Sequence, residues 1–216
     1  MNEASGSSCI AEVGGVNIDL TGCSRVAGLN GPNALQFNGT SSDHAQTHSA
    51  LDHTGTNKLT VECLIKWGTF TTTAGILYES SANFGSNQGT VFLDPDGGTS
   101  AADAHMMAGN NGNVGVNRSD YSRFTANVWH HLVVVHDFSL GSNENTVYVD
   151  GVVQTRGTTL NNNNTGNFGN YVWYFSSRAG TSFFAGVKTL QHFAIYPTAL
   201  TAARIAQHAQ AALRGW

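Results

Sequence analysis

The chain has 216 residues, enough for one β-sandwich domain with a sizeable core. Charged residues make up 11% of it, against roughly 25% in ordinary domains, and the net charge is −4. Lysine occurs only at Lys58, Lys66 and Lys188, so the basic stripe that nucleic-acid binding needs is missing; no apolar run approaches the ~20 residues of a membrane span, so no membrane insertion is expected.

No apolar leader follows Met1, and Asn2 to Ser8 is small and polar. Residues 1–15 read as an N-terminal arm and 16–216 as one domain. Apolar pieces at Ile10–Val13 and Val16–Leu20 carry the arm into a first strand. Gly31-Pro32-Asn33 is a turn, Ala34–Asn38 a strand and Gly39–His44 a polar bend. Ala45–Leu51 has no decisive pattern, and Asp52–Lys58 is loop. Leu59–Trp67 is amphipathic: Leu59, Val61, Cys63, Ile65 and Trp67 point one way, Thr60, Glu62 and Lys66 the other, with Leu64 out of phase. Cys63 is therefore a small buried hydrophobe, while spacing leaves a Cys9–Cys23 pairing open.

Short strands follow at Gly75–Tyr78, Gly89–Leu93, Ala104–Ala108 and Val114–Asn117. Asp94-Pro95-Asp96-Gly97-Gly98 and Gly109–Gly112 are turns between them. Val128–Asp137 is β-branched and aromatic, apolar on both faces, hence a central strand covered on both sides. Thr146–Val149 alternates, and Asp150-Gly151 is the dipeptide of a two-residue hairpin. Asn161–Asn167 reads as a surface loop. In Tyr171–Phe175, Tyr171, Trp173 and Phe175 share one face, the one expected to be core, and Val172 and Tyr174 the other. Phe183–Tyr196 is the last strand region, stopped by Pro197. Thr201 caps a helix over Ala202–Leu213 whose apolar stripe is Ile205, Ala209 and Leu213.

Four of these stretches together resemble a known family: Ala34–Thr40, Leu59–Trp67, Trp129–Val135 with Thr146–Val152, and Phe193–Thr201. Their order and spacing are similar to those of laminin-G-like domains of the concanavalin A-like lectin/glucanase superfamily, over roughly residues 15 to 210. The resemblance implies an all-β fold, a concanavalin A-like jelly-roll sandwich of two antiparallel sheets with a short C-terminal helix. It implies binding of sugars, proteins or lipids, with a minority of enzymes, because fold does not fix function.

Retaining glucanase chemistry needs two carboxyls about 5–5.5 Å apart. Glu3, Glu12, Glu62, Glu79 and Glu144 are isolated in sequence, and Glu62 reads as a solvated side chain, so no catalytic residue is assigned and no enzyme is expected. His130 and His136 lie six strand residues apart, about 20 Å, too far to share a metal ion. Relatives of the family hold a Ca²⁺ at a loop rim through oxygen ligands; the acidic loop candidates here are Asp43, Asp94, Asp96 and Asp103. Gln191-His192 stands where that family places acidic residues before its last strand ends. A sugar site needs an aromatic plane with amides around it, and Tyr174 and Tyr121, with Asn110, Asn113 and Asn167 nearby, are the candidates.

The reading is a non-catalytic recognition module for a glycan or surface polysaccharide. The expected location is extracellular or on a bacteriophage virion surface. A structural virion protein contacting other virion proteins is the alternative, and a glycoside hydrolase comes third.

Overall fold

A computed structural model describes residues 7–10, 14–40, 43–71, 75–97, 105–160, 162–180, 182–183 and 186–214. Along the chain run β1 (Ser8–Ile10), β2 (Asn17–Thr21), β3 (Ser24–Val26), β4 (Ala34–Asn38), β5 (His44–Thr47), β6 (Leu51–Asp52) and the long β7 (Lys58–Trp67). Next come β8 (Tyr78–Glu79), β9 (Thr90–Asp94), β10 (Met106–Asn111), β11 (Val116–Tyr121), β12 (Trp129–Asp137), β13 (Asn145–Val149) and β14 (Val152–Val153). The chain ends with β15 (Arg156–Leu160), β16 (Asn170–Tyr171), β17 (Tyr174–Phe175), β18 (Ser177–Arg178), β19 (Ser182–Phe183), β20 (Val187–Tyr196) and α1 (Ala202–Arg214).

Two antiparallel sheets stack face to face, one of nine strands ordered β1-β2-β5-β17-β8-β9-β10-β11-β15, the other of seven ordered β14-β13-β12-β7-β20-β4-β3. Strand alternation sends Val61, Ile65, Leu132 and Val134 inward from the second sheet to meet Tyr78, Val91, Leu93 and Ala108 from the first. This is the two-sheet jelly-roll sandwich, with one short C-terminal helix, that the sequence pattern predicts. β12 sits between β13 and β7, as its two apolar faces require. Asp150 (φ 53°) and Gly151 (φ 81°) make the hairpin turn from β13 into β14.

The other face of β12 is sealed by α1. Ile205 rests on Val133 and Val135. Thr201 is the cap: its Oγ1 accepts from Arg204 N at 3.2 Å. The buried stripe is Ile205, Ala209 and Ala212. The expected Leu213 is only half-buried, because seven residues turn a helix almost two full circles and eight overshoot.

Several boundaries differ from the sequence expectation. The first two of the four middle strands begin one to three residues later than expected, and β10 and β11 run on by three or four residues, because pairing across the sheet decides where an extended segment counts as strand. Tyr171–Phe175 splits: Asn170–Tyr171 pairs with β6 in a separate small sheet, and Tyr174–Phe175 enters the large one. Ser8–Ile10, within the expected arm, pairs with β2. Trp173 and Cys63 are buried in the core as expected. Cys63 is a buried free thiol; nothing is described of the Cys9 side chain.

Candidate functional site

The registers of the nine-stranded sheet align one row of side chains across its outer face: Asp19, Gln46, Tyr174, Glu79, Phe92, Gly109, Arg118 and Leu160. Residues paired directly across antiparallel strands point the same way, so a row sharing Phe92 and Tyr174 is a shelf opposite the core. Its middle is covered. The loop after β8 lays Phe84 on Phe92, ring centroids 4.0 Å apart, and Arg178 of the β18–β19 hairpin stands 5.2 Å over Phe84. Beneath them Glu79 is buried, its Oε2 accepting from Arg178 Nε at 2.9 Å and its Oε1 from Phe84 N–H. Burial pushes the Glu79 carboxyl above its ordinary range, and the Phe84 and Arg178 bonds only partly offset it. Gly109 makes room for the packing, since a Cβ there would lie 2.2 Å from the Phe92 ring.

The β2 side of the row is open. Tyr174 and Gln46 are half-buried. His48 Nδ1 lies 3.0 Å from Asp19 Oδ2, both side chains well exposed. The hairpin turn closes the far side: a Cβ on Gly180 would come within 3.3 Å of His44 Nε2 and 3.6 Å of Gln46 Oε1. On the near side a cavity of about 200 Å³ lies between Gly15–Asn17 and His48–Leu51. An aromatic ring, an amide and an imidazole–carboxylate pair therefore adjoin on one accessible floor, the donor and acceptor mix that polyols engage.

Of the residues expected to bind ligand, only Tyr174 reaches this shelf. Tyr121 is a correction: it is buried, and its hydroxyl donates to the Asn145 carbonyl oxygen. Asn110 is a second. β10 runs one residue past it and turns its side chain inward, where Nδ2 donates to Asn145 Oδ1 at 2.8 Å. Asn113 is exposed but closes a loop contact with Thr165, and Asn167 donates to the Thr54 carbonyl oxygen at 2.6 Å. Asn164 was expected on a surface loop, yet it is buried between Asn110 and Glu144. His136 joins this amide network, with Nδ1 2.8 Å from Asn145 Oδ1 and Nε2 3.1 Å from the Tyr78 hydroxyl; burial pulls its pKa down to about 4.

The aspartates proposed for Ca²⁺ do converge, but around the protein's own cations. Asp96 is paired with Arg123 at 2.6 Å and accepts from Thr71 N–H at 2.7 Å. Asp94 Oδ1 accepts from Gly75 N–H (2.9 Å) and Asp96 N–H (3.0 Å), and burial raises the carboxyl to about 6. Asp43 is buried and accepts from Asn38 N–H and Thr40 Oγ1. Lys188, fully buried over the Trp67 ring, feels all three carboxylates, while burial lowers it to about 7. A calcium ion at these oxygens would have to displace Arg123 and Lys188, which already meet these carboxylates, so the residues do not fit it. Among the described residues no three His, Cys, Asp or Glu side chains gather as a metal site; Asp103 lies outside them.

Glu62 is a further correction, since α1 covers it. His208 Nδ1 lies 2.8 Å from Glu62 Oε2; His131 Nε2 lies 3.1 Å from Oε1, close enough for an ion pair but off the line for a hydrogen bond. Burial raises the Glu62 carboxyl, and the two imidazoles outweigh it, so the net shift is down. No sequence signal marks this contact, because the helix that makes it is 146 residues away.

The family model for the concanavalin A-like lectin/glucanases superfamily, in its laminin-G form, matches residues 38–206. The chain belongs to that superfamily. Among curated proteins none matches this lectin/glucanase-superfamily chain. Solved structures share its fold. The botulinum neurotoxin serotype G binding domain aligns at a TM-score of 0.69 with 10% identity over 93% of this chain and 48% of that one. The serotype D ligand binding domain, solved with N-acetylneuraminic acid, aligns at 0.65 with 11% identity over 93% and 47%. The sialidase of Trypanosoma rangeli, solved as a covalent intermediate with difluorosialic acid, aligns at 0.65 with 14% identity over 96% of this chain and 31% of that one. The chain thus spans about half the length of the toxin domains. Among the described residues no helix is long and apolar enough to cross a membrane.

Proposed function

We propose that this superfamily member is a non-catalytic carbohydrate-recognition module, and that the sugar lies on the outer face of the nine-stranded sheet over Tyr174, Gln46 and the Asp19–His48 pair. The observation that carries the reading is the half-open shelf itself: on the other sheet α1 covers Val133, Val135 and Glu62, whereas here a half-buried ring and exposed hydrogen-bonding groups stand beside a cavity. Ring stacking and amide bonding suit a neutral, hydroxyl-rich ligand. The toxin domain solved with N-acetylneuraminic acid and the sialidase are in keeping with a sugar ligand. Hydrolysis is not favoured at the shelf, where Glu79 is buried against Arg178 and the exposed Asp19 faces His48. The setting we propose is extracellular or on a virion surface, in keeping with a weakly charged exterior; partners there would be surface polysaccharides.

A glycan array probed with the whole chain tests this. Binding to glycans, lost in Tyr174→Ala at unchanged melting temperature, is expected. Failure to bind any glycan, or unaltered binding by Tyr174→Ala, overturns it.

A further inference from the structure

Resting on that reading, we infer that the shelf is a blind end: it receives the terminal, non-reducing unit of a glycan on Tyr174 and admits no unit from the interior of a chain.

One turn of the chain builds the wall. Tyr174 pairs with Glu79 on one side and with Gln46 on the other. Arg178 stands on the first, its Nε donating to Glu79 Oε2 at 2.9 Å. Gly180 stands on the second, where a Cβ would come within 3.6 Å of Gln46 Oε1. Arg178, Ala179 and Gly180 are consecutive, so the wall runs round Tyr174 from one neighbour to the other. Left-handed backbone at Ser176 (φ 60°), Ala179 (φ 54°) and Gly180 (φ 67°) bends the chain back into this position.

The wall stands at one end only. Two residues from Tyr174 and Gln46 toward the turn lie Ser176, which is buried, and His44, whose Nε2 is 3.3 Å from the Cβ position of Gly180. Two residues the other way lie Val172, half-buried, and His48, well exposed. Glu79 and Gln46 are two strand spacings apart, about 10 Å, and their own side chains take part of that width. The space over Tyr174 therefore suits one ring entering from the His48 end. A chain lying across the ring would run into Arg178 or into the turn, so only a chain tip fits. A glycan tethered through its reducing end presents its non-reducing unit as that tip.

Charge does not choose the tip. Arg178, held by Glu79, and Asp19, beside His48, bring one charge of each sign to the rim. The exposed Arg118 of the same row is four strand spacings from Tyr174, about 19 Å, beyond the Phe84–Phe92 stack, so a unit on Tyr174 does not reach it.

The test uses the intact chain on an array of glycans linked through their reducing ends and tipped with galactose, glucose, mannose or N-acetylneuraminic acid, each unit also present inside longer chains. Glycans sharing one tip should bind alike whatever their length, and at least about ten-fold tighter than chains that hold the same unit inside. Removing that tip with the matching exoglycosidase should abolish the signal, as should Tyr174→Ala. Interior units bound as tightly as tips, or binding that survives trimming, overturn the blind end while the shelf itself stands. Binding unaltered by Tyr174→Ala, or absent from every arrayed glycan, overturns both.

Discussion

The two sheets turn different outer faces to their surroundings. On the seven-stranded sheet, α1 buries Val133 and Val135 under Ile205 and clamps Glu62 through His208. On the nine-stranded sheet, a loop and a hairpin cover the middle, at Phe92 and Glu79, the hairpin turn stands against His44 and Gln46, and Tyr174 stays half-buried with Asp19 and His48 exposed. A face closed by a helix spends its side chains on stability. A face closed half-way keeps side chains for a ligand, and the covering elements become the walls of its site. The difference also shows in the two carboxylates beneath the covers: Glu62 is shifted down by its imidazole partners, Glu79 up by burial.

The sharpest way to break the comparison is Ile205→Asp. An unpaired carboxylate against Val133 and Val135 should undock the helix and cost about 4 kcal/mol, read by urea unfolding; a loss under 1 kcal/mol would mean that this face is not truly sealed. Arg178→Met comes next. It strips the counter-charge from buried Glu79, and because Arg178 is partly exposed the expected loss is about 2 kcal/mol, with glycan affinity falling as the wall loosens. Unchanged thermal stability would show that the wall is not held by the pair.

Thr201→Ala removes the helix cap and should cost about 1 kcal/mol without touching sugar binding. The smallest effect is in the pH profile, and its sign differs between the faces. Native Glu62 holds its proton less tightly than the unfolded chain does, so its stabilisation is present above its unfolded pKa of 4.5 and fades as pH falls through the lower folded value. Native Glu79 holds its proton more tightly, so stability from it declines as pH rises from 4.5 through the raised folded value. Glu62→Gln should flatten the acid limb of the melting-temperature curve, and Glu79→Gln should remove the decline at its upper end. The same slope change from both variants would erase the distinction.

Much of the fold was legible because strands announce themselves locally. Leu59–Trp67 and Val128–Asp137 carry their inward and outward faces in their alternation, and Asp150-Gly151 marks the hairpin. The site was legible only in part. Tyr174 lies on the open face as parity required, whereas Tyr121 and Asn110 are interior because β10 and β11 run longer than their own residues suggest. Asp43, Asp94 and Asp96, read from the sequence as calcium candidates, face Lys188 and Arg123 instead. Gln46 and the Asp19–His48 pair went unnoticed, because nothing local distinguishes them from other polar residues on strands.

The sequence by itself determined that two sheets would form, which side chains would face the interior, and where the C-terminal helix would begin, because each of these follows from periods of two or 3.6 residues within one segment. Only the tertiary structure decided which outer face would be closed and which left open. That choice depends on strands 17–21, 44–47, 78–79 and 174–175 becoming neighbours, on a loop and a hairpin folding across them, and on charges far apart in sequence meeting where water is excluded.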